Sequence, residues 1–353
     1  MRAIARRDCE LLQERKGRWM GSPGAQRSGL GLQRSAPPGR SVDTTAMTVT
    51  GIELGIGIGA DLGLSEAERT TLATEAARLG YASAWTNARG IDGVDACDRW
   101  FDACGITTGT SVIPTPGVDL AALAARARGF GARSGGHFVL GVGVGQVRDP
   151  AFRARHGIAS GVAPVGLMRD HLAALGPAML RLAGAAADGA LPNWMDPAQL
   201  AWARRRIAEG AAAAGRDPAA IRLAQGIRVS VDEDERVARS ALAKVAFGYA
   251  LARPDQPRGG SYRALMARMG LDDDLTRLEA LRTKGASDDE LVEACPDRVL
   301  DRLGAYGRPA RALAAARRLA EGLDLAIVRI VSARPGIASA RAALEACAPG
   351  RWG

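Results

Sequence analysis

The chain has 353 residues and is 47% hydrophobic, 24% charged and only 4% aromatic, which fits a globular protein with a packed core but leaves few aromatic platforms for stacking. Its formal charge of +9 is uneven: residues 1–46 carry nine Lys or Arg against four acids, which leaves only +4 for everything after them. Arginines in that remainder are interspersed with Asp and Glu, as between Arg311 and Glu321, so they form a solvated face rather than a phosphate-binding stripe, and no nucleic-acid partner is expected.

In chain order, residues 1–46 are rich in Gly, Pro, Ser and Arg, with one short helix-compatible piece from Ile4 to Lys16. They bury too little apolar surface to order themselves and are expected to be a disordered extension. Met47 opens strand-like sequence almost at once, which makes it the simplest natural start of a domain spanning 47–353. A targeting peptide is the alternative for the extension, and Asp8, Glu10 and Glu14 weigh against it.

From Glu53 onward, short β-rich runs alternate with longer helical ones, as in a parallel sheet wound with helices. Strands are predicted over Glu53–Gly59, Ala82–Thr86, Thr107–Ile113, Phe138–Gly145, Gly189–Asn193, Arg222–Val231 and Leu325–Val331. Helices are predicted over Ser65–Leu79, Leu120–Arg133, Leu167–Leu182, Pro197–Ala214, Glu233–Leu251 and Pro309–Glu321. Ser65 and Glu68 have the spacing of a capping box. The stretch from Ser261 to Ala305 shows helical patterns and no strand, so it is expected to be a helical insertion before the last strand.

The five cysteines (Cys9, Cys97, Cys104, Cys295, Cys347) are odd in number and lack any C-x-x-C pair. Neither a disulfide framework nor a zinc site is suggested, and a reducing compartment fits. With no apolar run of about 18 residues and no signal-peptide core, a cytoplasmic protein without a membrane partner is expected.

Glycine alternates along two strands: Gly55, Gly57, Gly59, and then Gly141, Gly143, Gly145. A Rossmann phosphate loop would need G-x-G-x-x-G leading straight into a helix and an acid ending the next strand. Here residues 60–64 intervene before the helix, and the second strand ends in Thr86 and Asn87. For the first glycine strand, relief of crowding inside a small barrel and contact with a ligand both remain open. For the fourth strand the reading is ligand contact.

Three segments in order, EAARLGYASAW (75–85), ITTGTSVIPTP (106–116) and GFGARSGGHFVLGVGVG (129–145), resemble the luciferase-like monooxygenase superfamily. LGPAMLRLAGAAADGALPNW (175–194) and DRLGAYGRPARALAAARRLAEGLDLAIVRIV (301–331) extend the likeness, and their phrasing resembles the F420-dependent branch. The resemblance implies a TIM (β/α)8 barrel and an oxidoreductase moving a hydride between coenzyme F420 and a small organic substrate. FMN with oxygen, as in a monooxygenase, is the alternative, as is a truncated relative that binds flavin without turnover.

By the same resemblance, a non-prolyl cis peptide between Ser111 and Val112 supports the back of the ring, and Gly143 and Gly145 leave it room. Ala174, Gly176 and Pro177 would hold the cofactor tail. Gly59, Asn87, Asn193, Trp194 and Arg329, at strand ends, are the substrate-side candidates, and a homodimer is the assembly to test.

Two departures stand out. Several F420 enzymes place Asp-His just after strand two, where this chain reads Thr86-Asn87-Ala88-Arg89, so no catalytic base is assigned. His137, His156 and His171 do not replace it, and neither a metal nor a Ser-His-Asp site is proposed. The stretch between the fourth strand and the Ala-Leu-Gly-Pro turn is also short, as though a fifth strand were deleted, which predicts an incomplete barrel.

Overall fold

The computed structural model describes residues 51–143, 145, 154, 177–252 and 262–353. The proposed extension at 1–46, the start at Met47, the helix at Ile4–Lys16, the first ten residues of the Leu167–Leu182 helix, and Ala174, Gly176, His156 and His171 lie outside them.

The strands are β1 (Glu53–Gly57), β2 (Ser83–Thr86), β3 (Thr107–Thr110), β4 (Ile113–Pro114), β5 (Phe138–Val139), β6 (Val142–Gly143), β7 (Gly189–Ala190), β8 (Arg222–Val231), β9 (Ala305–Gly307) and β10 (Leu325–Ile330). The main sheet is parallel, in the order β5-β3-β2-β1-β10-β8-β7. All seven expected strands are found. The eighth barrel position has no strand among the described residues, which matches the incomplete barrel expected from the shortened sequence.

Two expectations need correction. The run from Ser261 to Ala305 does not end as helix: Ala305 opens β9, whose three residues pair with Val229–Val231 of β8. The far edge of β8 is thus shared, with β7 on Arg222–Leu223 and β9 near the other end. The third and fourth strands are also not continuous. Each breaks after its first segment, and β4 and β6 pair in a separate two-stranded sheet.

Helices cover the sheet. Those expected are α1 (Glu66–Arg78), α3 (Leu120–Arg133), α4 (Pro177–Ala186), α5 (Pro197–Ala213), α6 (Glu235–Ala250) and α11 (Pro309–Leu319). The capping box at α1 is present, with the Glu68 amide donating to Ser65 Oγ and the Ser65 amide donating to Glu68. The sequence reading missed α2 (Gly90–Cys104) and α12 (Ile337–Ala346). Among its described residues the insertion consists of four α-helices, α7 (Tyr262–Met266), α8 (Asp272–Thr283), α9 (Asp288–Ala294) and α10 (Asp297–Leu303), with a π-helical segment, Ala267–Leu271, joining the first two. Among the described residues no helix is long and apolar enough to cross a membrane.

Alternation in β1 sends Leu54, Ile56 and Ile58 into the large core between sheet and helices, and leaves the glycines on the other side. A Cβ on Gly55 would come within 2.8 Å of Ser83 Oγ and 2.9 Å of Trp85 Nε1, and one on Gly109 of β3 within 2.5 Å of the same indole. Trp85 therefore lies across the inner face from β1 to β3. It clusters there with Ala224, Leu325 and Ile327, which brings β2, β10 and β8 around one interior and gives the barrel a solid floor.

Candidate active site

Above that floor, β1, β10 and β8 carry Gly57, Arg329 and Arg228 in register. Partners in register lie on one face of a sheet about 4.8 Å apart, so the two arginines are neighbours. A Cβ on Gly57 would sit 3.0 Å from Arg329 Cδ. On Gly59 it would collide with the Arg329 guanidinium and the Asp61 carboxylate. The first glycine strand thus relieves crowding at both levels, by Trp85 below and by Arg329 above.

The loop after β1 is tied to this arginine. Arg329 Nη2 donates to Asp61 Oδ1 at 2.6 Å, and Asn87 Nδ2 donates to the same oxygen at 3.1 Å. Asn87 Oδ1 accepts from the Ala60 amide at 2.8 Å, so both polar ends of Asn87 serve the loop. Burial pushes the Asp61 carboxyl up, but the Arg329 charge and the hydrogen bonds outweigh it and hold the group below the usual carboxylate range. A groove of about 640 Å³ opens beside Asp61 and Asn87 and runs between α1 and α2 to Arg69 and Arg99.

Arg228 has different company. Its Nη1 donates to Asn193 Oδ1 and, at 3.3 Å, to the Gly226 carbonyl, and its guanidinium lies 3.8 Å from the centre of the Trp194 ring. Trp194 is 2% exposed and holds φ at +61°, a left-handed conformation uncommon for a bulky residue. That turn places the indole beneath the guanidinium as a cation–π floor. Trp194 packs in turn on Tyr249, and Tyr249 on Tyr262, each with ring centres 5.2 Å apart. Asn193 Nδ2 donates to the Tyr262 hydroxyl at 3.2 Å. Burial lowers the Arg228 pKa to about 10 and raises that of Tyr262 to about 12, so at neutral pH Arg228 is charged and Tyr262 is neutral.

The other side of the mouth is made of backbone. The Ser111–Val112 peptide is cis, at the point where β3 ends and the chain steps sideways into β4. Thr110 Oγ1 donates to the Gly141 carbonyl at 2.8 Å and accepts from its amide at 2.9 Å. The Ile113 amide reaches the Gly141 carbonyl at 2.9 Å, and the Ser111 amide reaches the Thr86 carbonyl at 2.7 Å. A Cβ on Gly141 would strike the Thr110 carbonyl, and one on Gly143 would lie 2.7 Å from Val112 Cγ2. These two glycines admit the kinked third strand, so Gly143 acts on the mouth through Val112. Gly145 is exposed, with φ at +63°.

Among the expected site residues, Gly59, Asn87 and Arg329 meet at Asp61, Asn193 and Trp194 meet at Arg228, and Ser111 and Val112 form the kink. Pro177 opens α4. Sequence reasoning missed Asp61, Arg228, Tyr249 and Tyr262. The position of Arg228 on the same strand face as Gly226, one strand from Arg329, was the available signal. His137 lies at the start of β5, away from the mouth, with Nδ1 2.9 Å from Thr107 Oγ1. Burial pushes the Cys97 and Cys347 thiols up to about 12 and Cys295 to about 11, so none of the three is a thiolate nucleophile at neutral pH.

The fold and the mouth define a parallel α/β barrel whose third strand ends in a cis kink on one side of the mouth, with a cationic wall on the other. The chain belongs to the luciferase-like monooxygenase family, whose model matches residues 150–326. It is 32% identical over 169 residues to a 5,10-methylenetetrahydromethanopterin reductase from Methanolobus tindarius, an alignment covering 47% of this chain and 48% of that protein. The chain thus spans about half the length of the curated relatives it matches. Its fold is similar to the coenzyme F420 dependent tetrahydromethanopterin reductase of Methanopyrus kandleri (TM-score 0.66, 18% identity, 84% of this chain and 98% of that one). It also resembles an F420-dependent secondary alcohol dehydrogenase solved with an F420–acetone adduct (TM-score 0.59, 15% identity, 85% and 99%).

Proposed function

We propose that this chain is an oxidoreductase that transfers a hydride between coenzyme F420 and a small organic substrate. The observation that carries the reading is the partly exposed cis Ser111–Val112 kink at the mouth of a parallel barrel. The names of the relatives support F420 over FMN.

The residues present fit a flat ring. Ser111 and Val112 are partly exposed at the kink, Gly143 lies against Val112, and Arg329 Nη1 is a buried donor without a hydrogen-bond partner among the described residues. In this reading Ser111 and Val112 back the ring, and Gly145 leaves room beside them. Backbone amides of Ala174 and Gly176 hold the tail, and Pro177, which has no N–H, shapes that turn. Gly59, Asn87, Asn193 and Arg329 face the substrate, with Trp194 acting through Arg228. Trp85 seals the floor and keeps water from entering beneath the reacting carbon. When bound, F420 supplies a carbon that takes or returns a hydride and, unlike the flavin nitrogen, reacts poorly with oxygen.

Fluorescence titration of the purified chain with F420 and with FMN tests this. Tighter binding of F420 is expected. A preference for FMN with oxygen consumption would place the chain among monooxygenases, and binding of neither would make it a truncated, non-catalytic relative.

A further inference from the structure

Among the described residues, the mouth holds more positive charge than its own acids neutralise. Arg228 and Arg329 sit side by side on adjacent parallel strands, an arrangement that is unfavourable for like charges directly opposite one another. Among the described residues, Asp61 is the one carboxylate that pairs with either, through Arg329 Nη2. Arg329 Nη1 is buried without a hydrogen bond to any described residue. Among the described residues, Arg228 bonds only neutral oxygens, and only through Nη1, although a guanidinium carries five donors. On the insertion that carries Tyr262, Asp272 and Glu279 pair with the buried Arg263.

The surroundings hold this charge in place. Trp194 fixes one face of the Arg228 guanidinium, and Asn193 fixes one edge. Both arginines are half-buried rather than fully enclosed. Two planar forks with unused donors, side by side in a partly desolvated cleft, match the geometry of a carboxylate or phosphate, which arginine binds through paired N–H···O contacts.

We propose that Arg228 and Arg329 form a receptor for an anionic group on the substrate, a carboxylate or a phosphate. The assignment rests on the oxidoreductase reading for the word substrate, but the oxyanion site itself does not. The pair anchors one end of a bifunctional molecule at β8 and β10 and leaves its reacting carbon to the β1–β3 side. Neutral alcohols or ketones without such a group are then poor substrates.

Calorimetric titration with inorganic phosphate and with acetate, on the full chain without cofactor, tests the site. One-to-one binding is expected, weakened 10- to 100-fold in Arg228→Met and in Arg329→Met. Asp61→Asn frees the Arg329 fork and is expected to tighten phosphate binding several-fold, an effect opposite in sign to structural damage and readable even if Arg228→Met does not fold. Absence of phosphate and acetate binding in the wild type, or unchanged phosphate affinity in Asp61→Asn and Arg329→Met, overturns the proposal. The same variants titrated with F420 separate the sources. Unchanged F420 affinity supports a substrate site. A parallel fall assigns the pair to anionic groups of the cofactor and overturns the substrate assignment. Phosphate binding in a chain that binds no F420 leaves the oxyanion site standing while the oxidoreductase reading fails.

Discussion

The two walls of the mouth are built from different materials. On the β3 side, position is set by backbone: a cis linkage, amide-to-carbonyl bonds, and two glycines whose missing side chains let Thr110 and Val112 approach. On the β8–β10 side, position is set by charged and aromatic side chains: Arg228 over Trp194, and Arg329 on Asp61. The first wall should therefore respond to added volume and be indifferent to salt and pH. The second should respond to charge and tolerate small changes in volume.

The largest effect is expected where the side-chain wall is braced from behind. Arg263, 2% exposed in its side chain, pairs with Glu279 at 2.8 Å and fixes α7, the helix that delivers Tyr262 to Asn193. Arg263→Met leaves a buried carboxylate without that partner and should cost about 3–5 kcal/mol, read from urea unfolding. A loss below about 1 kcal/mol would mean that the insertion is not what holds Tyr262.

Next comes the backbone wall. Gly143→Ala introduces a Cβ against Val112 and should cost about 1–3 kcal/mol. Val112→Ala in the same chain should recover much of that, because the clash is with one side chain rather than with backbone. Additive losses in this double-mutant cycle would show that Gly143 serves something other than Val112.

The smallest effect separates the walls by pH. The Asp61 carboxyl is held below its unfolded value, so its contribution to stability is fully present above the ordinary aspartate range and is lost as pH falls through the folded pKa. Its side chain is 66% exposed, so screening keeps that contribution to about 1 kcal/mol or less. Thermal melts of wild type and Asp61→Asn should differ slightly at pH 7 and converge below about pH 3.9. The Gly143→Ala deficit should not change over the same range, and a pH-dependent deficit there would blur the contrast between the walls.

Much of the barrel could be read from sequence because its signals are local. Alternation in β1, the Ser65–Glu68 spacing and the order of strands and helices each depend on residues a few positions apart. β9 escaped because three residues gain their strand character from pairing with Val229–Val231, not from their own pattern. α2 escaped because it begins at Gly90 and carries a second glycine at 93, both poor helix formers, although Asp92, Asp95 and Asp98 line one face and Val94, Cys97 and Trp100 the buried one. The kink at 111–112 followed from family resemblance. The charged wall was only half legible: Arg329 stood out at a strand end, whereas the role of Arg228 depends on the register between β8 and β10, and that of Tyr262 on where a distant insertion folds back. The glycines of the fourth strand looked like ligand contacts, yet geometry ties Gly141 and Gly143 to the neighbouring strand.

The indole of Trp85 between Gly55 and Gly109 has a kinetic consequence. Among the described residues it fills the inner face of the sheet below the mouth, so a ligand seated above it is approached from the mouth side. Under the proposed function, a cofactor and a substrate that both use it must queue. Whichever lies deeper arrives first and departs last, which leads to ordered rather than random exchange, with the second arrival acting as a stopper on the first.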